Sequence, residues 1–306
     1  MNRTPAVRRT RIGAALAVSF ALAVSGLSVR AQEQNPAPDA GQVTGSVEGI
    51  VSLDVDGDGS HSEGEPVLAG VTVELRDGEG NLVATTTTNA SGQYSFQNLG
   101  GGAYTVSVPK STAAGDFNES LASWFSAPSW QQAAQVNGTE GASYNFLFNL
   151  NIDQILNDLN PQDPDGNGFS FNGNGNTIGY WKHQLEVAIE GKGNAQVSAA
   201  TMKGYLAAIE ALYLPEPFKF PDGFQSALDI LGSESSEALD LLLKQLLGTE
   251  FNLVSGRGLA EPWFGLEGVL VAWGEYLAAH SSLFSREFLL KAKDIFDLIN
   301  NTGSWS

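Results

Sequence analysis

The chain contains no cysteine, so no disulfide can hold it together and no Cys-X-X-Cys pair exists. Basic side chains are also scarce. Sixteen lysines and arginines stand against 34 aspartates and glutamates, a formal charge of −18. So acidic a chain repels phosphate backbones, which excludes nucleic acid as a partner and favours divalent cations. Gly-X-Ser-X-Gly elbows and phosphate-cradling glycine loops are missing as well, so no nucleophile–base pair can be recognised. Only one long apolar run exists, at residues 12–27. Arg3, Arg8, Arg9 and Arg11 precede it and "SVRAQEQ" follows, with a small-residue cleavage site after Ala31. That three-part pattern marks residues 1–31 as a secretory signal peptide. The run is too short for a membrane anchor, and no transmembrane segment is expected in the mature chain.

Removing residues 1–31 leaves 275 residues, with 11 basic and 34 acidic side chains and a net charge near −23. That length suits two domains. An exported chain without disulfides needs another staple. Residues 32–43, "QEQNPAPDAGQV", form a flexible lead-in. From residue 44 the apolar residues follow a period of two. Val71, Val73 and Leu75 alternate with Thr72 and Glu74, and Tyr104, Val106 and Val108 with Thr105 and Ser107. Turn signals at 77–81, 89–92 and 99–103 separate the runs, and "SYNFLFNL" at 143–150 closes the series. Short alternating strands at this spacing predict an antiparallel β-sandwich over 44–150.

Within it, "DVDGDGSHSEGE" at 54–65 places five carboxylates and three glycines in twelve positions, with no lysine or arginine. Counted from Asp54, Asp56 is position three, Asp58 five, Gly59 six and Glu65 twelve, which satisfies the D-x-D-x-D-G-x5-E calcium-loop pattern. Alternate side chains of a tight loop converge on one point, glycine permits the turn, and the late glutamate reaches back with both oxygens. Ser60 would offer its backbone carbonyl, and Ser62 would act directly or through water. The expected ligands are therefore Asp54, Asp56, Asp58, Ser60, Ser62 and Glu65, with Ca2+ as the cofactor. An acidic solvated turn is the plainer alternative.

The flanks "EGIVSL" and "VTVEL" read as strands, not as the helices of a helix–loop–helix hand. Together with "LAGVTVEL", "TTTTNASGQYSF" and "YTV", the stretch from 44 to 108 resembles the SdrD B-like domain, the calcium-binding B repeat of serine–aspartate surface proteins. More loosely the likeness extends to 150. It implies a prealbumin- or immunoglobulin-like sandwich stapled by calcium, in a spacer or adhesion module. Ser62 stands where that family usually has Asp, which implies a weaker site. The only lysine of the sandwich is Lys110, so the Lys–Asn isopeptide staple of a related branch is not expected.

Residues 151–176 are rich in Asn, Gly and Asp and read as a linker. Asp163, Asp165, Asn167 and Gly168 repeat half of a calcium loop, but Asn174 replaces the closing glutamate. A weak second site and a plain linker both remain open. Beyond, the period becomes helical. The stripes are Met202, Tyr205, Leu206, Ile209, Leu212 and Tyr213; Leu239, Leu242, Leu243, Leu246 and Leu247; Trp263, Leu266, Leu270, Trp273 and Leu277; and Phe288, Leu289, Ala292, Ile295, Phe296 and Ile299. Residues 177–303 thus form an all-α bundle, with Ser198 as an N-cap and Pro262 at a helix start. "TIGYWKHQ" at 177–184 resembles the Gly-Tyr-Trp-Lys opening of a helical domain of unknown function found in bacterial secreted proteins.

The reading is a multidomain, non-enzymatic, secreted bacterial protein, extracellular or on the cell surface. A calcium-stapled sandwich serves as spacer or adhesion module and presents a helical domain to an extracellular protein or glycan. One alternative is an extracellular hydrolase with its site near His183 and Glu186 or His280. Another is a carbohydrate-binding module using Trp124 and Trp130.

Overall fold

The computed structural model describes residues 44–110, 122–160, 173–212, 217–259 and 264–302. The signal peptide, the lead-in, the half-loop residues Asp163, Asp165, Asn167 and Gly168, and Tyr213, Pro262 and Trp263 lie outside them.

Two sheets form the first half. Strands β1 (Gly45–Leu53), β4 (Gln93–Leu99), β6 (Phe125–Ser126), β8 (Gly141–Ser143) and β9 (Phe146–Leu150) make one; β2 (Thr72–Asp77), β3 (Leu82–Thr87), β5 (Gly102–Ser107) and β7 (Gln131–Val136) make the other, in the order β3-β2-β5-β7. The period-two residues meet between them, with Val47, Val51, Leu53, Val71, Val73, Leu75, Val106 and Phe148 all buried. At about 25 cal/mol per Å2 of apolar surface, each such side chain contributes roughly 1.5–3 kcal/mol.

The sandwich is not purely antiparallel. β1 pairs antiparallel with β4 but parallel with β8 and β9, Leu53 lying opposite Phe148. Parallel partners need a long crossover, and here most of the sandwich separates the two strands in sequence. The consequence is positional: β1 and β9 end at the same edge. The loop after Leu53 and the chain leaving Leu150 therefore emerge side by side, and the Asp54 N–H donates to the Phe148 carbonyl at 2.9 Å.

The stretch read as a linker begins with a helix, α1 (Ile152–Asp158), capped by the Asn151 side chain. Ile155 and Leu159 are fully buried, and the Trp124 indole N–H donates to Asp158 Oδ2 at 3.0 Å. Its two apolar contacts are too few to stand out among the Asn and Asp around them.

The second half contains α2 (Ile178–Glu190), α3 (Ala199–Ile209), α4 (Phe224–Leu231), α5 (Ala238–Val254), α6 (Phe264–Ala279) and α7 (Arg286–Asn300). Thr177, Ser198 and Ser285 cap α2, α3 and α7 by accepting N–H bonds from Tyr180, Thr201 and Phe288. α5 is the central rod. Its Leu242, Leu246, Leu247 and Phe251 are fully buried, and Phe251 stacks on Trp181 with centroids 5.1 Å apart. The expected stripes converge here: Met202, Leu206 and Ile209, Leu266, Leu270 and Leu277, and Ala292, Ile295 and Ile299 are all buried.

The "NGNTIGYWK" stretch is explained by a buried polar knot. Asn252 of α5 accepts from the Trp181 indole at 3.0 Å and from the Asn176 N–H at 2.8 Å, and donates to the Asn176 carbonyl and to Asn300 Oδ1. Asn300 also accepts from Thr249 and donates to Gln245. Gly175 has no room for a side chain, since a Cβ would lie 2.5 Å from the Ile299 carbonyl oxygen. Trp181 is thus a buried anchor, 1% exposed.

Candidate metal centre

The loop 54–65 is cinched at its base. The Leu53 N–H donates to the Pro66 carbonyl at 2.8 Å, and Ser52 bridges Val67. Inside it the backbone curls around carboxylates. Asp54 Oδ2 accepts from Gly59 N at 3.2 Å, Asp56 Oδ1 from Asp58 N at 3.2 Å, and Asp58 Oδ1 from Ser60 N at 2.7 Å. Gly59, at position six, adopts φ +81°, a left-handed turn that other residues resist.

These bonds gather three carboxylates. Asp54, Asp56 and Asp58 each offer an oxygen, and the three atoms lie within 4.8 Å of one another. This is the one such group of His, Cys, Asp or Glu side chains among the described residues. Asp54 is only 6% exposed, and its Oδ1 is buried without a hydrogen-bond partner. A buried, unpaired carboxylate oxygen is costly. A cation bound by the three carboxylates would relieve that cost, and hard oxygen donors suit calcium or magnesium chemistry. The residues therefore fit such an ion.

Ser60 and Ser62 point their hydroxyls at Asp58, the first at 2.7 Å and the second at 3.5 Å. The Ser60 bonds, side chain first, hold the exposed Asp58 carboxyl below the usual carboxylate range. Glu65 lies outside the group of three and locks the loop instead. Its Oε1 accepts from Val55 N at 2.5 Å and Asp56 N at 3.4 Å, and its Oε2 from Ser62 N at 2.8 Å. His61 Nδ1 approaches Oε2 at 3.9 Å.

One site residue comes from the other half of the chain. The Tyr276 hydroxyl of α6 donates to Asp56 Oδ2 at 3.4 Å across 220 residues of sequence. Burial, reinforced by the charges of Asp56 and Glu65, pushes this phenol up to about 12, so it stays a donor. No local motif announces such a contact.

The residues of the two alternative readings are placed differently. His183 is 54% exposed, 4.0 Å from Glu186. His280 stacks on the Tyr276 ring, with centroids 4.2 Å apart. Trp124, expected as an exposed sugar platform, is instead fully buried, because its indole seals the joint between the sandwich and α1. Trp130 is half-buried, edge-on to Phe148, with Lys110 over its ring. At Asn174, Oδ1 accepts from Gly258 N at 3.0 Å, so the half-loop's last position is occupied in bracing the chain.

A β-sandwich with a strand-flanked acidic loop defines the class, and comparison with known proteins agrees over that part. Residues 45–128 match the SdrD B-like domain. The serine-aspartate repeat-containing protein F of Staphylococcus epidermidis is 47% identical over 53 residues, 17% of this chain and 3% of that protein. A fibrinogen-binding protein of the same species is 40% identical over 65 residues, covering 21% and 6%. Colossin-A of Dictyostelium discoideum is 44% identical over 75 residues, covering 24% and 1%. The chain thus spans a few per cent of the length of these relatives. Among solved structures, the minor pilin of Streptococcus agalactiae aligns with a TM-score of 0.26 at 15% identity, over 35% of this chain and 44% of that one. Among the described residues, no helix is long and apolar enough to cross a membrane.

Proposed function

We propose that the chain is a secreted bacterial surface or matrix protein in which residues 44–150 form a calcium-stapled spacer or adhesion module. Residues 177–303 are the part it presents to an extracellular protein or glycan. Its role is binding, not catalysis. In this reading Asp54, Asp56 and Asp58 hold Ca2+, with the Ser60 carbonyl and Ser62 completing the ring. Glu65 would join through Oε2, which accepts one N–H bond, from Ser62. The observation that carries the reading is the buried, unpartnered Asp54 Oδ1 beside two converging carboxylates.

The staple is modest. A dissociation constant on the order of 10⁻⁴ M, the tight end for extracellular modules, adds about 1.4 kcal/mol at millimolar calcium. For a chain of this size that corresponds to a melting shift of roughly 2–4 °C. Calorimetric titration with CaCl2 and melting curves in calcium and in EDTA test it. Saturable binding with a lower melting point in EDTA is expected; superimposable curves and no heat of binding reject the calcium assignment.

A further inference from the structure

Three features at one edge of the sandwich point beyond a simple staple. The parallel pairing of β1 with β9 places the acidic loop next to the exit toward the helical half. From that half, Tyr276, 2% exposed, reaches back to the loop and bonds Asp56, at position three of the cation pattern. Its helix α6, "FGLEGVLVAWGEYLAA", carries two glutamates and no lysine or arginine. An acidic loop therefore docks on a helix that supplies no compensating cation of its own.

Resting on the calcium reading above, we infer that the centre is composite: Tyr276 is an outer positioning residue, and cation binding and docking of the helical half are one coupled equilibrium. The phenol donates to Asp56 Oδ2 while Oδ1 accepts from Asp58 N, so the carboxylate is held from both sides. Outer partners of this kind orient the ligands that touch a metal. His280 steadies the ring by stacking, and its Nδ1 lies 3.0 Å from the Tyr276 carbonyl oxygen. Away from the loop, Lys291 of α7 meets Asp153 of α1 at 2.8 Å, a second clasp that loading of the loop would leave in place. Coupling is reciprocal: if docking orders the loop for the cation, the cation strengthens docking by the same factor. The cation would then set the orientation in which the helical half is presented.

The test uses the full mature chain, with CaCl2 as the probe. Tyr276→Phe keeps the ring and removes the hydroxyl; its calcium affinity should fall about tenfold, the low end of what losing an outer partner costs. Because the chain has no cysteine, Glu79→Cys with Lys203→Cys takes two spin labels at exposed positions, one on each half. The distance distribution should be narrow in calcium and broader in EDTA. Wild-type affinity in Tyr276→Phe overturns the coupling and leaves the calcium site standing. No binding to the unsubstituted chain removes the site and the coupling together. Should Tyr276→Phe fail to fold, the labelled pair decides alone, and equal widths in calcium and EDTA overturn the inference.

Discussion

Asp54 and Glu267 are both buried carboxylates, and their surroundings give them opposite uses. Asp54 has one oxygen bonded to Gly59 N and the other unpaired, beside two more acids. Asp54→Asn removes the charge at nearly constant volume, so its effect should change sign with the solution. In EDTA the variant should be more stable than wild type by about 1 kcal/mol, because a buried, unsatisfied anion is gone. In calcium it should be the less stable of the two and bind at least tenfold more weakly. Melting curves in the two buffers check this; a variant that is worse in both refutes the ligand role. Glu267, fully buried on α6, accepts the Leu259 N–H through Oε2 and leaves Oε1 without a partner. Burial pushes it up to about 8, against the pull of that N–H bond. Between its ordinary 4.5 and about 8 the folded chain keeps a proton that the unfolded chain has released. Stability contributed by this group is therefore lost as pH rises through that window, by up to about 1.4 kcal/mol per unit. Glu267→Gln, which keeps the acceptor, should flatten the decline, as read from urea unfolding at pH 5 and pH 8.

Among the elements, α1 and the Asn252 knot do the joining. α1 inserts the fully buried Ile155 and Leu159 into the core and its Asp158 accepts from Trp124. A fragment of residues 44–160 should therefore outlast one of 44–150 by about 1 kcal/mol, since the buried Trp124 indole keeps its Asp158 acceptor. Equal urea midpoints would show that α1 belongs to the helical half alone. In the knot, Asn252→Ala strands the Trp181 indole, the Asn176 N–H and part of Asn300. A cost of about 3 kcal/mol follows if two of those buried groups lose their partners. These elements also mark where sequence reading succeeds and stops. Strands such as Val71–Leu75 and helices such as the one bearing Leu242 and Leu246 were legible because each carries its own period. The loop was legible because its carboxylates sit within twelve residues of one another. Tyr276 was not, since its partner lies 220 positions away and the contact depends on how the two halves of the chain pack. Glu65 was legible as a position but not as a lock on three backbone N–H groups, which depends on the curl of the chain. Trp124 was misplaced because a buried indole and an exposed one are identical in sequence until α1 covers it.

On the scale of the whole molecule, the surplus of 34 acidic over 16 basic side chains means that folding works against self-repulsion. Ion pairs relieve little of it. Lys291 with Asp153 and Lys293 with Asp297 are at least partly exposed, and exposed pairs contribute about 0–1 kcal/mol. Repulsion is most concentrated at the 54–65 loop, which places five carboxylates within twelve residues. Two kinds of cation can relieve it, and they differ in reach. Sodium chloride at 0.5 M shortens the screening length to about 4 Å and acts on every exposed charge. Calcium at millimolar concentration acts where oxygens converge. The two effects should overlap at the loop and nowhere else. In EDTA, adding 0.5 M NaCl should raise the melting temperature by a few degrees. In saturating calcium the same salt should raise it by clearly less, since the densest repulsion is already neutralised. Calorimetric scans in the four buffers measure both increments. Equal increments would mean that the loop's charges add nothing special to the instability of the chain, and that calcium, wherever it binds, stabilises by some route other than neutralising them.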